Sequence, residues 1–557
     1  MLDIFLLCLE ICTFKIKVKV KQGTILGTTE ITVFKEQLYY AFYGVPYAMA
    51  PVGNLRFKNP KPLRSQGKQL KATTEYHGAC AQEHIVHKHG IYGFEDCLYL
   101  NIFTPYLPHK TQGSLVPKEV IVWIHGYVFT SSFSHIHGAD FLIENDVVVV
   151  TLTHRLGAFG FLKLNESDSN ANMGLKDIVM GLRWIKRNID RFGGDQRKVT
   201  LMGSGSASTL ISLLLVTKHR NLFSKLILHS GSIYSPSLFQ GDFKNEKNRL
   251  ERELTKFGFN DLNLVPTENL VQASRKMYSV KETINLQRPI IPFLPTIERE
   301  SSDSLITMNL HEIYNTLKHM SYNIPILTGF TSQESIPEVI PFIHNSNNLK
   351  SFEKVFKYMV PFSDGCRYNY SSKTYKTISN KIKKRYFKSG ISESSLEDFL
   401  KFTSDLIKYP IYKFIKSRIR LGNNIYVYKF NYLGKLNVVK ATSVAGSNIQ
   451  IKGAAQGDEL CYILKCDPLW ESYIKLKHNK TSRDTMLIKQ ISSMWANFAK
   501  YGEPTPINKF GNIEWLPMSS KNDNVFLFDK ESRLTNSKPE QNMFEFWNKL
   551  YKDYYNG

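Results

Sequence analysis

The chain has 557 residues, 42% hydrophobic and 22% charged, with a formal net charge of +23. That length can bury an ample core, and no Pro/Gly/Ser-rich linker, low-complexity tract or internal repeat divides it, so a disordered or repetitive chain is excluded. The charge favours acidic partners or anionic membrane faces. It comes without a nucleic-acid-binding motif, and no run is long and apolar enough to span a bilayer, so neither nucleic acid nor a transmembrane anchor is expected.

Residues 1–16 hold a short apolar run, Ile4-Phe-Leu-Leu-Cys-Leu9, interrupted by Asp3 and Glu10 and lacking a basic start. A degenerate signal peptide and a plain N-terminal extension both fit. The reading leans to secretion and leaves a cytoplasmic location open. Residues 17–557 are expected to form one domain.

Strand-like apolar runs then recur at Val120–Ile124, Val147–Leu152, Val199–Met202, Leu226–His229, Ile324–Leu327 and Ile425–Phe430. Between the second and third, Leu175, Ile178, Val179, Leu182, Ile185 and Ile189 recur at helical spacing, and Phe192-Gly-Gly-Asp195 ends that helix. Strands alternating with helices predict an α/β fold with a largely parallel sheet covered on both faces and long insertions. A Gly-rich turn, Gly203-Ser-Gly205-Ser-Ala207, separates the third strand from an apolar helix reaching Leu210–Val216. The basic residues of 373–420, including Lys381-Ile-Lys-Lys-Arg385, read as solvated helix faces.

Several segments, in this order and spacing, resemble the type-B carboxylesterase and cholinesterase-like family of α/β hydrolases. They are Phe42-Tyr-Gly-Val-Pro-Tyr-Ala48, Pro51-Val-Gly-Asn-Leu-Arg-Phe57, Glu95-Asp-Cys-Leu-Tyr-Leu-Asn101, Val122-Trp-Ile-His-Gly126, Arg155-Leu-Gly-Ala-Phe-Gly-Phe-Leu162, Asn172-Met-Gly-Leu-Lys-Asp177, Gly457-Asp-Glu-Leu460 and Trp495-Ala-Asn-Phe. The wording is similar to insect carboxylesterases. The resemblance implies the α/β-hydrolase fold and a Ser–acid–His triad in that chain order.

Aligned on those segments, the triad positions are Gly205, Glu334 and Gln456. Glycine has no nucleophile, and an amide is no general base near neutral pH. Ser204 and Ser206 flank the gap, but the strand register aims them elsewhere, so they read as turn residues. No histidine lies between His344 and His478 to replace the lost base. A rescue would have to come from His125 or His154. The oxyanion-hole positions are Tyr127, Val128 and Ser206, where the first two replace glycines that let backbone N–H groups approach a substrate. Ala207 replaces the elbow's last glycine, so a repacked turn is expected.

The family also implies a disulfide between Cys80 and Cys97, with two free thiols as the alternative. Cys366, Cys461 and Cys466 receive no pairing. Asn165, Asn369 and Asn479 head N-x-S/T sequons. His77, His84, His87 and His89 lie near one another without recognised zinc spacing, so no metal and no cofactor are expected.

The functional expectation is an inactive esterase-like protein. It would bind an apolar or ester ligand in a reduced gorge, or a protein partner. A hydrolase with atypical active-site residues is the alternative. The oligomeric state is open.

Overall fold

The computed structural model describes residues 16–63, 69–70, 79–83, 90–108, 116–132, 136–165, 170–235, 243–278, 291–320, 324–356, 360, 371–506 and 514–555. Asn369, Cys366 and the histidines at 77, 84, 87 and 89 lie outside them, as do residues 1–15.

Among the described residues a 13-stranded sheet organises the molecule. Its labelled strands are β1 (Ile16–Val20), β2 (Gly23–Ile31), β3 (Leu38–Pro46), β4 (Tyr99–Thr104), β5 (Lys118–Gly126), β6 (Val148–Leu152), β7 (Gly194–Gly205), β8 (Lys225–His229), β9 (Ile326–Thr331), β10 (Ile425–Phe430), β11 (Asn524–Phe528) and β12 (Arg533–Asn536). The order across the sheet is β1-β2-β3-β4-β6-β5-β7-β8-β9-β10-β11-β12, with a short strand, Gln69–Leu70, beside β2. From β6 to β11 every neighbouring pair is parallel. The N-terminal strands and β12 pair antiparallel.

Alternation along each strand feeds two cores. In β5, Val120, Val122 and Ile124 face one core, while Ile121 and Trp123 face the other. The first is closed by helices α1 (Met173–Asn188) and α2 (Ser206–Leu213), the second by α3 (Arg483–Tyr501). The apolar stripe predicted between β6 and β7 is α1, and Gly193 ends the short 3-10 turn after it at φ 82°. The expected strand at Ile324–Leu327 instead starts at Ile326, because Pro325 has no N–H for the ladder.

Four of the sequence segments meet in two ion pairs that lock loops to this frame. Arg155 grips Asp177 with Nε on Oδ2 at 2.8 Å and Nη2 on Oδ1 at 2.7 Å, both side chains buried. Arg56 does the same to Glu95 at 2.8 and 2.5 Å. No described helix is long and apolar enough to cross a membrane.

The sheet also fixes where a ligand would sit. The chain leaves β5 toward β6 on one side and returns to β7 on the other. The carboxyl ends of β5 and β7 therefore flank a topological switch point, the preferred ligand crevice of open α/β sheets.

Candidate functional site

The residues after β5, β7 and β9, and the loop before Gly457, all converge at that switch point. Gly205 ends β7 and caps α2 with φ 58° and ψ −123°, backbone angles that suit glycine and strain other residues. The elbow is thus present as a strand–turn–helix, with no side chain at its tip.

The space a side chain would need is already taken. Gly205 pairs in register with Gly126, so the β5–β7 ladder closes right through the elbow. A Cβ on Gly205 would lie 2.5 Å from the Gly126 carbonyl oxygen. Apart from its two chain neighbours, the nearest side-chain atom to that Cβ position is Gln456 Nε2, at 4.0 Å. The structure therefore brings Gly205 and Gln456 together, the two residues that the sequence resemblance places at the nucleophile and base positions.

Glu334 completes the arrangement from the loop after β9. It is fully buried, and Oε1 accepts from Thr331 N at 2.6 Å and Ser230 Oγ at 2.8 Å. Gln456 Nε2 donates to the Ser230 carbonyl at 3.3 Å. Ser230 therefore joins the acid and base positions, a link that sequence reasoning missed. The two loops are also tied directly, with Gln333 N donating to Ala454 O at 2.9 Å and Ala454 N to Ser332 Oγ at 2.8 Å. Asp458 accepts from Ala455 N at 2.7 Å and holds Gln456 in place. Among the described residues, the buried oxygens Glu334 Oε2 and Gln456 Oε1 have no hydrogen-bond partner. In a triad the acid's free oxygen would meet an imidazole N–H, which an amide cannot supply in the same way.

Burial, and secondarily the negative charge of Glu459, push the Glu334 carboxyl up to about 8. Glu459 belongs to a buried network beneath the site that sequence reasoning also missed. Tyr428 Oη donates to Glu459 Oε1 at 3.1 Å and lies 2.7 Å from His229 Nδ1, while Trp495 Nε1 donates to His229 Nε2 at 3.3 Å. Gly329 makes room for the Tyr428 ring, since a Cβ there would lie 2.3 Å from it. Cross-strand pairing brings these residues together, and spacing along the chain carried no signal of it.

The loop after β5 carries Tyr127 and Val128, which the sequence places at oxyanion-hole positions. Tyr127 N donates to Ser131 O at 2.8 Å, so this backbone N–H is engaged within the loop. Burial and the nearby Glu338 charge raise the Tyr127 phenol. Val128 adopts φ 52° and Phe129 φ 60°. For a β-branched residue this left-handed conformation costs about 1–2 kcal/mol. Val128→Gly is therefore expected to raise stability by about 1 kcal/mol in denaturant titration. A loss of stability would show that the half-buried valine side chain contributes more than its strained backbone costs.

Ser206, next to Gly205, is engaged by the neighbouring loop. Its Oγ accepts from Phe129 N at 3.0 Å and props up the altered loop. Ser204 lies inside the ladder between His125 and His229. His154 is buried, and desolvation lowers its pKa to about 4. The repacked turn expected from Ala207 is not seen: α2 starts at Ser206, and the methyl of Ala207 fits because Gly126 opposite has no Cβ.

Cys80 and Cys97 form a disulfide, and so do Cys461 and Cys466, a pairing that the sequence had not assigned. Asn479 is exposed at the end of a helix, and Asn165 is exposed as well.

Known proteins share this framework. The family model described as the carboxylesterase family matches residues 15–547. The chain is 30% identical to esterase E4 of Myzus persicae over 92% of this chain and 91% of that one. It is 28% identical to a juvenile hormone esterase of Tribolium castaneum, covering 89% of this chain and 84% of the relative. The crystal structure of juvenile hormone esterase from Manduca sexta, with OTFP covalently attached, superposes with a TM-score of 0.80 at 24% identity, over 97% of this chain and 100% of that one. That likeness shows the α/β-hydrolase fold. The matched stretch includes every segment that builds the switch-point site, and the chain belongs to the carboxylesterase family.

Proposed function

We propose that this member of the carboxylesterase family does not hydrolyse esters by the triad route and uses the switch-point site to bind a ligand. One observation carries the reading: the amide of Gln456 lies 4.0 Å from where a Cβ would stand on the glycine at the nucleophile position. Neither residue can do the work its position requires. Loss of the triad alone would leave about 10³–10⁴-fold over water, and that remainder depends on an oxyanion hole. Here one donor of the hole is spent on Ser131. The names of the juvenile hormone esterases make juvenile hormone the first ligand to try, as an apolar ester.

The test is turnover of p-nitrophenyl and naphthyl esters by pure protein, alongside binding of juvenile hormone. The expected result is binding without turnover. Turnover abolished by an organophosphate, with covalent label on Ser204 or Ser206, would overturn the reading in favour of a hydrolase with atypical residues. Absence of both binding and turnover would move the function to a protein partner.

A further inference from the structure

Helix α4 (Lys373–Tyr386) carries a cationic face that the esterase framework does not use. Its sequence, KTYKTISNKIKKRY, holds six cations and no acid. Tyr375, Ile378, Ser379, Ile382 and Tyr386 face the core. On the outer side Lys373, Lys376 and Lys384 follow one another at helical spacing, with Lys381 and Arg385 in the adjacent row.

Ordinary helix energetics does not account for this pattern. The last-turn cations Lys383, Lys384 and Arg385 suit the negative end of the dipole, whereas Lys373 and Lys376 sit in the first turn, where a positive charge is unfavourable. Like charges three or four residues apart add about 0.2–0.5 kcal/mol of cost per pair. Among the described residues, neutralisation is slight. Lys383 pairs with Glu353, and Lys381 lies 4.9 Å over the Tyr554 ring. Lys373, Lys376, Lys384 and Arg385 have no carboxylate within ion-pair distance among the described residues. Arg385 is steadied instead by the Phe546 ring at 5.5 Å, which leaves its charge outward.

We propose that the outer face of this helix binds a sulfated polysaccharide. A row of cations about 18 Å long matches a linear polyanion. The two disulfides favour an oxidising compartment. There the abundant linear polyanions are sulfated glycans, whereas nucleic acid and the anionic cytoplasmic leaflet lie on the reducing side.

The experiment measures affinity for a size-defined heparin oligosaccharide and the salt at which the protein leaves immobilised heparin. The variant carries Lys373→Glu, Lys376→Glu, Lys384→Gln and Arg385→Gln. A control makes the same charge change at exposed lysines elsewhere: Lys17→Glu, Lys19→Glu, Lys21→Gln and Lys521→Gln. The helix variant is expected to lose about tenfold or more in affinity and to elute at lower salt, and the control to stay within about twofold. Glutamate at 373 and 376 improves the dipole match, so the helix should not unfold. If it does, Lys373→Gln with Lys376→Gln must still lower affinity. Equal losses in variant and control would reduce the effect to net charge and overturn the site. So would wild-type protein that ignores heparin, or that binds duplex DNA or phosphatidylserine vesicles at least as tightly.

Discussion

Gly205→Ser alone is expected to restore no ester hydrolysis and to lower stability by about 1–3 kcal/mol. Two observations set the sign. The backbone at 205 has φ 58° and ψ −123°, which glycine adopts more freely than serine, and a Cβ there would meet the Gly126 carbonyl at 2.5 Å. Without Gln456→His, the new hydroxyl would have no base to take its proton. Adding that change supplies the base, yet the oxyanion loop remains folded onto Ser131. Tyr127→Gly with Val128→Gly then removes two bulky side chains and the strain at Val128, and two adjacent glycines free the loop to take other conformations, so that the Gly126 peptide can withdraw. Organophosphate-sensitive turnover is expected only in the variant carrying all four changes. Activity or added stability in the single Gly205→Ser variant would contradict this account. Inactivity of the full set would mean that the gorge, as well as the chemistry, has changed.

The order of these changes reflects what the sequence could and could not convey. Val199-Thr-Leu and the segments on either side fixed the register, so Gly205, Glu334 and Gln456 were identifiable as one set before any contact was known. Their convergence follows from parallel strands with loops at the carboxyl end, a property of the fold rather than of local pattern. What stayed illegible depends on cross-strand register. Ser230 bridges residues 104 and 226 positions away in the chain. The Tyr428–His229–Glu459 network needs Gly329 to leave room for a ring on the next strand. Closure of the β5–β7 ladder through the elbow could not be read from composition at all. Ala207 was misread for the same reason, since its methyl fits only because Gly126 lies opposite.

Glu334 offers the second large effect, through pH. Its carboxyl ionises near its ordinary value of 4.5 in the unfolded chain and at about 8 in the fold. Between those values the folded state holds a proton that the unfolded state has released. Stability must therefore fall as pH rises from about 4.5 to about 8, by at most about tenfold in the folding constant per pH unit. Glu334→Gln keeps an oxygen for Thr331 N and Ser230 Oγ and removes the ionisation. The variant should match the wild type at pH 4.5 and become progressively more stable than it toward pH 8, read as denaturation midpoints across that range. Parallel midpoints would show that Glu334 is not the titrating group. Gln456→His makes the complementary prediction. An imidazole over Gly205 would give the carboxylate a cation to stabilise, drawing its pKa down and flattening the same pH slope. At the position that the resemblance assigns to the acid, the fold thus carries a buried carboxyl that costs it stability at neutral pH.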